Sequence, residues 1–202
     1  MGPGMAWRWC PDYYSPLGGL FLSTQLTTLD WDFKEHHEGS YSFVKNLDDV
    51  IKVLETDVEA NPSHIWELQQ TRNGVHAVNV GYSLKKAFCY PYLKRLGVDA
   101  FYGMIACGQS FYGWRVSPKS FEDTCVLAPI GHIKSTRGVY NPDALVTVRK
   151  HYEVANLYVE WLSGFSLENL PPDRVLGVPK GGQAPDFSMA YCAFFDKWFM
   201  SK

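Results

Sequence analysis

An Asn-Gly pair at positions 73 and 74 lies between two runs of residues that favour β-strands, His64–Gln70 and Val75–Tyr82. Asn-Gly is the preferred pair of a two-residue type I′ turn, because both residues tolerate the positive φ angles that this turn requires. The twist of such a turn also matches that of two antiparallel strands. The sequence therefore predicts a β-hairpin near the middle of the chain, and the fold must accommodate its paired strands.

Helix and strand patterns alternate around this hairpin. Asn46 is the predicted N-cap of one helix, Asn141 followed by Pro142 is predicted to start a longer one, and Gly97 is predicted to end a third. The predicted helices are Asn46–Ala60, Ser83–Leu96 and Asn141–Leu162, and the further predicted strands are Leu20–Phe33, Val98–Ile105 and Phe111–Val116. This order predicts an α+β (mixed α/β) fold with central antiparallel sheets flanked by helices.

Length and composition favour one globular domain of 202 residues, with a core at about residues 20–120 and a helical, aromatic part at residues 121–202. The apolar runs are too short to cross a bilayer, and no secretory signal is recognisable, so we expect a cytoplasmic protein. Five widely spaced cysteines without a CxxC motif favour reduced thiols. The formal net charge of −2 argues against a dedicated duplex-binding protein, which is usually basic.

Asp30 and Asp32 lie at the end of the Leu20–Phe33 segment, separated by Trp31. Residues two apart on a strand project from the same face, so both carboxylates can reach one cation while Trp31 points the other way. Carboxylate oxygens are suitable ligands for Mg²⁺ or Mn²⁺. The pair predicts a metal site, and an ordinary polar strand end is the alternative.

Three further groups of residues carry candidate chemistry. Gly74 belongs to the predicted turn and His76 follows it, where the histidine can donate a hydrogen bond to a phosphate. Asp99 follows the apolar Val98 at a predicted strand start. Arg115 and Lys119 lie on an extended segment and suit phosphate oxygens. A structural histidine and a solvated charged rim are the alternatives for these residues.

The order of these groups resembles the three motifs of the archaeo-eukaryotic primase superfamily, which includes the primase-polymerases. That family has an acidic DxD or DxE pair on a strand, a small-x-His motif on a following hairpin, and an apolar-Asp motif followed by basic residues. The matching segments here are Leu29–Asp32, Gly74–His76 and Val98–Asp99, followed by Arg115 and Lys119. Gly74 replaces the serine that is frequent in the family.

The resemblance implies a primase-like catalytic core that joins nucleoside triphosphates on a single-stranded DNA template. It implies that Asp30, Asp32 and Asp99 bind two Mg²⁺ or Mn²⁺ ions and act in catalysis, and that His76 contacts the triphosphate. The other implied nucleotide-binding residues are Gly74, Arg72, Arg115 and Lys119. A helicase or other replication protein would be a separate partner, and a phage or plasmid origin would place the protein in the host cytoplasm.

The template is expected to lie along basic side chains, with aromatic side chains stacking on its bases. The basic candidates are Arg72, Lys85, Lys86, Lys94 and Arg95, and the aromatic ones are Trp31, Tyr82 and Trp114. Core packing is the alternative for all three aromatic residues and is the preferred interpretation of Trp31.

Two other clusters of charged residues carry weaker signals. Residues 34–38 (KEHHE) crowd possible metal ligands together, but neighbours on a strand point to opposite faces, so a solvated turn is the better interpretation. His132, Lys134 and Arg137 form a predicted basic loop that is a candidate for phosphate contacts. No GxSxG, HExxH, Walker or GxGxxG motif occurs, which leaves the common hydrolase, zinc-protease and dinucleotide functions without support.

Two alternatives to a primase remain open from the sequence. A DxD glycosyltransferase would use Asp30 and Asp32 to hold the diphosphate of a sugar nucleotide through Mn²⁺. A non-catalytic, primase-like replication module would bind nucleic acid or nucleotide without turnover.

Overall fold

The computed structural model describes residues 6–12, 15–24, 26–33, 43–71, 74–82, 89–109, 112–115 and 129–163. These residues form seven β-strands and four α-helices. In chain order they are β1 (Ala6–Asp12), β2 (Ser15–Thr24), β3 (Thr28–Asp32), α1 (Leu47–Ala60), β4 (Ile65–Gln70), β5 (Gly74–Asn79), α2 (Tyr90–Arg95), α3 (Ala100–Gln109), β6 (Tyr112–Arg115), β7 (Pro129–Lys134) and α4 (Pro142–Ser163). The mixed α+β class predicted from the sequence is confirmed.

The described elements fall into two compact units. One unit contains β3, α1, β4, β5, α2, α3, β7, most of β6 and the first part of α4. The other contains β1, most of β2 and the remainder of α4, and β1 and β2 are hydrogen-bonded to each other. In the described part of the chain, no helix is both long and apolar enough to cross a bilayer.

The predicted hairpin is confirmed as the pair β4 and β5, but the predicted role of Gly74 in the turn is wrong, because Gly74 is the first residue of β5 and its φ is not positive. The two strands are antiparallel, with Gln69 opposite His76. The hairpin is closed by Thr71 and Gly74: the Thr71 N–H donates to the Gly74 carbonyl, and the Gly74 N–H donates to Thr71 Oγ1, both at 3.0 Å. Asn73 lies outside the described residues.

Two further antiparallel pairings extend the hairpin into a sheet with the strand order β3-β5-β4-β7. One face of this sheet is apolar and packs against α1 and α2. The core cluster includes Leu29 and Trp31 from β3, Trp66 and Leu68 from β4, Val75 and Ala77 from β5, Val50, Leu54 and Val58 from α1, and Tyr92 and Leu93 from α2. Fully burying one such side chain stabilises the fold by about 1.5–3 kcal/mol.

The capping signals of two helices are confirmed. Asn46 Oδ1 accepts the Asp49 N–H at the start of α1 at 2.9 Å. Asn141 Oδ1 accepts the Asp143 N–H at the start of α4 at 3.0 Å. The Asn141 N–H also donates to the Val80 carbonyl at 2.9 Å, which ties the start of α4 to the end of β5.

The predicted strand at Val98–Ile105 is wrong, because residues Ala100–Gln109 form the helix α3. Gly97 ends the preceding segment with a φ of +68°. Asp99 then caps the new helix, since its Oδ1 accepts the Tyr102 N–H at 2.7 Å. Gly97 thus ends α2 and Asp99 starts α3, with only Val98 between them. These two signals favour a pair of helices over an extended strand.

Two other expectations also change. The helix expected at Ser83–Leu96 is confirmed only from Tyr90 to Arg95, with Pro91 in its first turn, and residues 83–88 lie outside the described part. The basic loop expected at His132 and Lys134 is wrong, because both residues belong to β7. The strand predicted at Phe111–Val116 is confirmed over Tyr112–Arg115, which form β6. Residues 164–202 are also outside the described part.

Candidate functional site

Asp30 and His76 come together on neighbouring strands. They are directly opposite each other in the pairing of β3 with β5, and His76 Nε2 lies 3.2 Å from Asp30 Oδ1. Their side chains are 34% and 20% exposed, respectively. The acidic and histidine motifs, far apart in the chain, therefore meet at a position that solvent can reach.

The two nitrogens of His76 have different surroundings. Nε2 faces Asp30, whereas Nδ1 is buried and has no hydrogen-bond partner in the part of the chain that the structure describes. A proton on Nδ1 would be a buried donor without an acceptor, which is costly. The tautomer with the proton on Nε2 therefore fits this site, and Nε2 is the only ring nitrogen that can reach a ligand.

Asp32 and Trp31 follow the alternation that the sequence predicts. Asp32 lies opposite Gly74 and projects from the same face as Asp30. Trp31 is 1% exposed and donates its indole N–H to the Leu96 carbonyl at 3.1 Å. Core packing, rather than base stacking, is therefore the role of Trp31.

Gly74 permits the close approach of β3 to β5. A Cβ atom at position 74 would lie only 1.7 Å from the carbonyl oxygen of Trp31. The sequence interpretation placed a phosphate beside this glycine, but the backbone that approaches it here is that of β3. The contact of Gly74 with a nucleotide stays a prediction.

Asp99 reaches the same region through its backbone. Its N–H donates to the Asp30 carbonyl at 2.9 Å, which fixes the start of α3 against β3. Its carboxylate caps α3 by accepting the Tyr102 N–H. A backbone hydrogen bond thus places Asp99 next to Asp30 in space. One oxygen of the Asp99 carboxylate is already bonded to the first turn of α3.

Tyr102 forms a second connection between α3 and β3, which the sequence interpretation missed. Its hydroxyl is hydrogen-bonded to Thr28 Oγ1, two residues before Asp30 on the same face. Burial raises the pKa of the Tyr102 hydroxyl, and the nearby charge of Asp30 raises it further, although the Thr28 bond opposes both. The hydroxyl therefore stays protonated beside the acidic pair.

The described residues contain no group of three or more His, Cys, Asp or Glu side chains arranged to hold a metal ion. Asp30 and Asp32 supply carboxylate oxygens, which are the kind of ligand that a hard divalent cation prefers.

A second acid–histidine pair lies on the same face of the sheet, and it was not predicted. Glu67 on β4 is directly opposite His132 on β7, and His132 Nε2 lies 3.1 Å from Glu67 Oε2. The Glu67 side chain is 7% exposed. We call this side of the sheet the polar face; it carries Thr28, Asp30, Asp32, Glu67, Gln69, His76, His132 and Lys134, together with the buried apolar residues Ile65 and Val78. The available sequence signal was the pair Glu67 and Gln69, two polar residues at alternate positions of a strand, which indicates one polar face.

A buried network around Asp57 was also missed. Asp57 Oδ2 accepts from Trp66 Nε1 at 2.8 Å and lies 2.7 Å from His64 Nδ1. Asp57 Oδ1 accepts from the Tyr92 hydroxyl and from Asn61 Nδ2, both at 3.0 Å. The sequence signal was the position of Asp57 next to the apolar residues of α1. An acid at such a position is buried, and a buried carboxylate needs hydrogen-bond donors.

The described contacts of this site do not include the other predicted residues. Arg72, Lys85, Lys86 and Lys119 lie outside the described residues, and Arg115 and Trp114 belong to β6. Lys94 and Arg95 are exposed in the last turn of α2. Tyr82 is 49% exposed. Contacts of all these residues with nucleotide or template stay predictions.

Comparison of the chain with protein-family models, with curated proteins and with solved structures found no match.

Proposed function

We propose that the chain is a nucleotidyltransferase of the archaeo-eukaryotic primase type, which joins nucleotides on a single-stranded DNA template. The observation that carries this proposal is the pairing of Asp30 with His76 on adjacent strands. The primase motif order requires an acidic pair and a histidine beside one nucleotide. The proposal keeps Arg72, Arg115 and Lys119 as phosphate ligands, a cytoplasmic location and a separate replication protein as partner.

The carboxylates of Asp30 and Asp32 are the part of the site that fits a divalent cation, because they supply hard oxygen ligands from one face of β3. Bound Mg²⁺ or Mn²⁺ would supply charge neutralisation and a more nucleophilic hydroxyl for nucleotidyl transfer. Asp99 is assigned to the same centre, and its backbone bond to Asp30 supports that assignment. Its carboxylate also caps α3, so one residue would have two roles.

His76 would bind and orient the triphosphate through Nε2, because Nδ1 is buried. The same Nε2 faces Asp30 at 3.2 Å. A phosphate oxygen therefore competes with Asp30 for one N–H donor. Nucleotide binding is expected to separate the two side chains and to leave the Asp30 carboxylate available for a cation.

Primer synthesis on single-stranded DNA with Mn²⁺ or Mg²⁺ tests the proposal. We expect Asp30→Asn combined with Asp32→Asn to abolish synthesis, since both cation ligands lose their charge. The matched control is Asp48→Asn combined with Glu55→Gln, which removes two exposed carboxylates from α1 and should leave synthesis unchanged. Synthesis that persists in the Asp30 and Asp32 variant would exclude this mechanism.

A non-catalytic module that binds nucleotide without turnover is the second candidate. The capping role of Asp99 favours it, because a carboxylate bonded to its own helix is already occupied in part. This candidate predicts thermal stabilisation by a nucleoside triphosphate with Mn²⁺, but no primer synthesis on any template.

A further inference from the structure

A cluster of basic and aromatic side chains lies at β7 and the turn after it. It consists of His132, Lys134, Arg137 and Tyr140, and we call it the β7 surface. Lys134 Nζ lies 4.9 Å from the centre of the Tyr140 ring, and the His132 ring meets the same ring edge-on at 5.8 Å. The tyrosine therefore holds two basic side chains in place, while all three basic residues are exposed.

Lys134 and Arg137 are the two basic residues of this surface without an ion-pair partner among the described residues. His132 bonds to Glu67, but no carboxylate among the described residues forms an ion pair with Lys134 or Arg137. The acidic side chains of α1 are on the other side of the sheet, because α1 packs on the apolar face. In a chain of net charge −2, two exposed cations three residues apart without an ion-pair partner favour an anionic ligand.

Exposed apolar side chains flank the basic ones. Ile130 is 45% exposed and Val139 is 62% exposed. A single nucleic-acid strand offers phosphates to such cations and the faces of unpaired bases to such apolar groups, which are aliphatic here and would contact the bases without aromatic stacking. A duplex would offer its phosphates but keep its bases stacked inside, so Ile130 and Val139 would have no partner.

We propose that the β7 surface and its neighbours Ile130 and Val139 bind single-stranded nucleic acid. Lys134 and Arg137 would contact the phosphates, and Ile130 and Val139 would contact the bases. The choice of a nucleic-acid strand among anionic ligands rests on the proposed function. Lys134 shares the polar face with Asp30, and β7 and β3 are the two edges of one four-stranded sheet. Lys134 is three strand spacings across the sheet and four residues along it from the level of Asp30, so the two residues are roughly 20 Å apart, a distance that a few nucleotides of extended strand can span.

Fluorescence anisotropy of a labelled oligodeoxythymidylate of about 20 nucleotides tests this inference, without nucleotide or divalent cation and at several salt concentrations. We expect Lys134→Gln combined with Arg137→Gln to raise Kd at least about tenfold at low salt. The slope of log K against log salt should fall by about 1.4, since each lost phosphate contact on a single strand contributes about 0.7. The control, Lys45→Gln with Lys52→Gln, removes the same charge elsewhere and should change Kd less than about twofold.

Two results would overturn the inference. One is an equal loss of affinity in both double variants, which would indicate a general charge effect. The other is tighter binding of the wild-type protein to a duplex of the same length than to the single strand. Thermal unfolding of each variant excludes misfolding as the cause of a lost affinity. Because the binding assay contains no cation or nucleotide, its outcome is independent of primer synthesis, and failure of one proposal is distinguishable from failure of the other.

Discussion

Gly74 is the residue at which packing most narrowly limits the side chain. A Cβ there would lie 1.7 Å from the Trp31 oxygen and 2.8 Å from the Trp31 carbonyl carbon, both backbone atoms of β3. Real side chains do not tolerate such distances, so a strand would have to move. Close packing against β3 therefore explains a glycine at position 74, whatever the function of the chain.

Replacing Gly74 with serine is expected to lower the free energy of unfolding by about 1–3 kcal/mol, the usual cost of overpacking a close contact. The added atoms would push β3 away from β5, which would also lengthen the contact between Asp30 and His76. Urea denaturation measures the change in stability.

Gly131→Ser is the matched control for this substitution. Gly131 lies in β7 of the same sheet, and a Cβ there would meet nothing within 4 Å. We expect its effect to stay within about 0.5 kcal/mol, as for ordinary surface substitutions. Equal stabilities of the two serine variants would contradict the close approach at Gly74.

At the scale of elements, α3 depends on Asp99 for its start and for its attachment to β3. Asp99→Ala is expected to destabilise the protein by about 1 kcal/mol through loss of the cap, whereas Asp99→Asn keeps a capping oxygen and should be nearly neutral. If Asp99 also binds a cation, as we propose, the asparagine variant folds normally but loses primer synthesis. Chemical denaturation and the synthesis assay together separate the two roles.

Retained synthesis in a stable Asp99→Asn variant would leave Asp99 with the capping role alone. Loss of both stability and synthesis in Asp99→Asn would show that asparagine does not replace the cap. Asp143→Asn is a suitable control, because Asp143 is an exposed acid in the first turn of α4.

Elements with strong local signals were predictable. The hairpin of β4 and β5, and the helices α1 and α4, each carry a turn or cap whose hydrogen bonds involve residues close in sequence. Strand β7 has no comparable signal. Its pairing partner is β4, which is distant in the chain, so its structure depends on a non-local contact that periodicity does not reveal.

Helix α3 shows how tertiary packing overrides local propensity. Phe101, Tyr102 and Ile105 favour a strand by composition, and two glycines weaken the helical pattern. In the structure Gly103 lies against α2, where a Cβ would be 3.7 Å from Leu93. Tyr102 also bonds to Thr28. Contacts with elements distant in the sequence therefore favour the helix.

The candidate site was predictable only in part for a similar reason. Alternation on β3 correctly placed Asp30 and Asp32 on one face and Trp31 on the other. Which strand pairs with β3 depends on the whole sheet, so the contact of Asp30 with His76 was expected only through the resemblance. The connection of Asp99 to Asp30 through the backbone requires a helix where the pattern predicted a strand.

At the scale of the molecule, stability is linked to pH through Asp57, whose hydrogen bonds join α1, β4 and α2. Burial by itself raises the pKa of this carboxyl, but the hydrogen bonds from His64, Trp66 and Tyr92 and the charge of His64 outweigh it. The pKa of Asp57 in the folded state is therefore lower than its ordinary value of 3.8.

A lowered pKa means that the unfolded chain binds the proton more tightly than the folded chain does. The stabilising contribution of Asp57 is thus fully present above the unfolded value of 3.8 and is lost as pH falls through the lower, folded value. We expect the free energy of unfolding to decrease as pH falls from about 5 towards about 3. Urea titrations at a series of pH values measure this dependence.

Asp57→Asn removes the titrating group and leaves its former donors only partly satisfied. We expect this variant to be about 3–5 kcal/mol less stable near pH 7, the range for breaking one side of a buried pair. The difference between wild type and variant should then narrow as pH falls below 3.8, since the wild-type carboxyl becomes neutral as well. Asp48→Asn, at an exposed position of the same helix, should follow the wild-type curve. A difference between wild type and Asp57→Asn that stays constant across the acid range would show that the charge of Asp57 does not stabilise the fold.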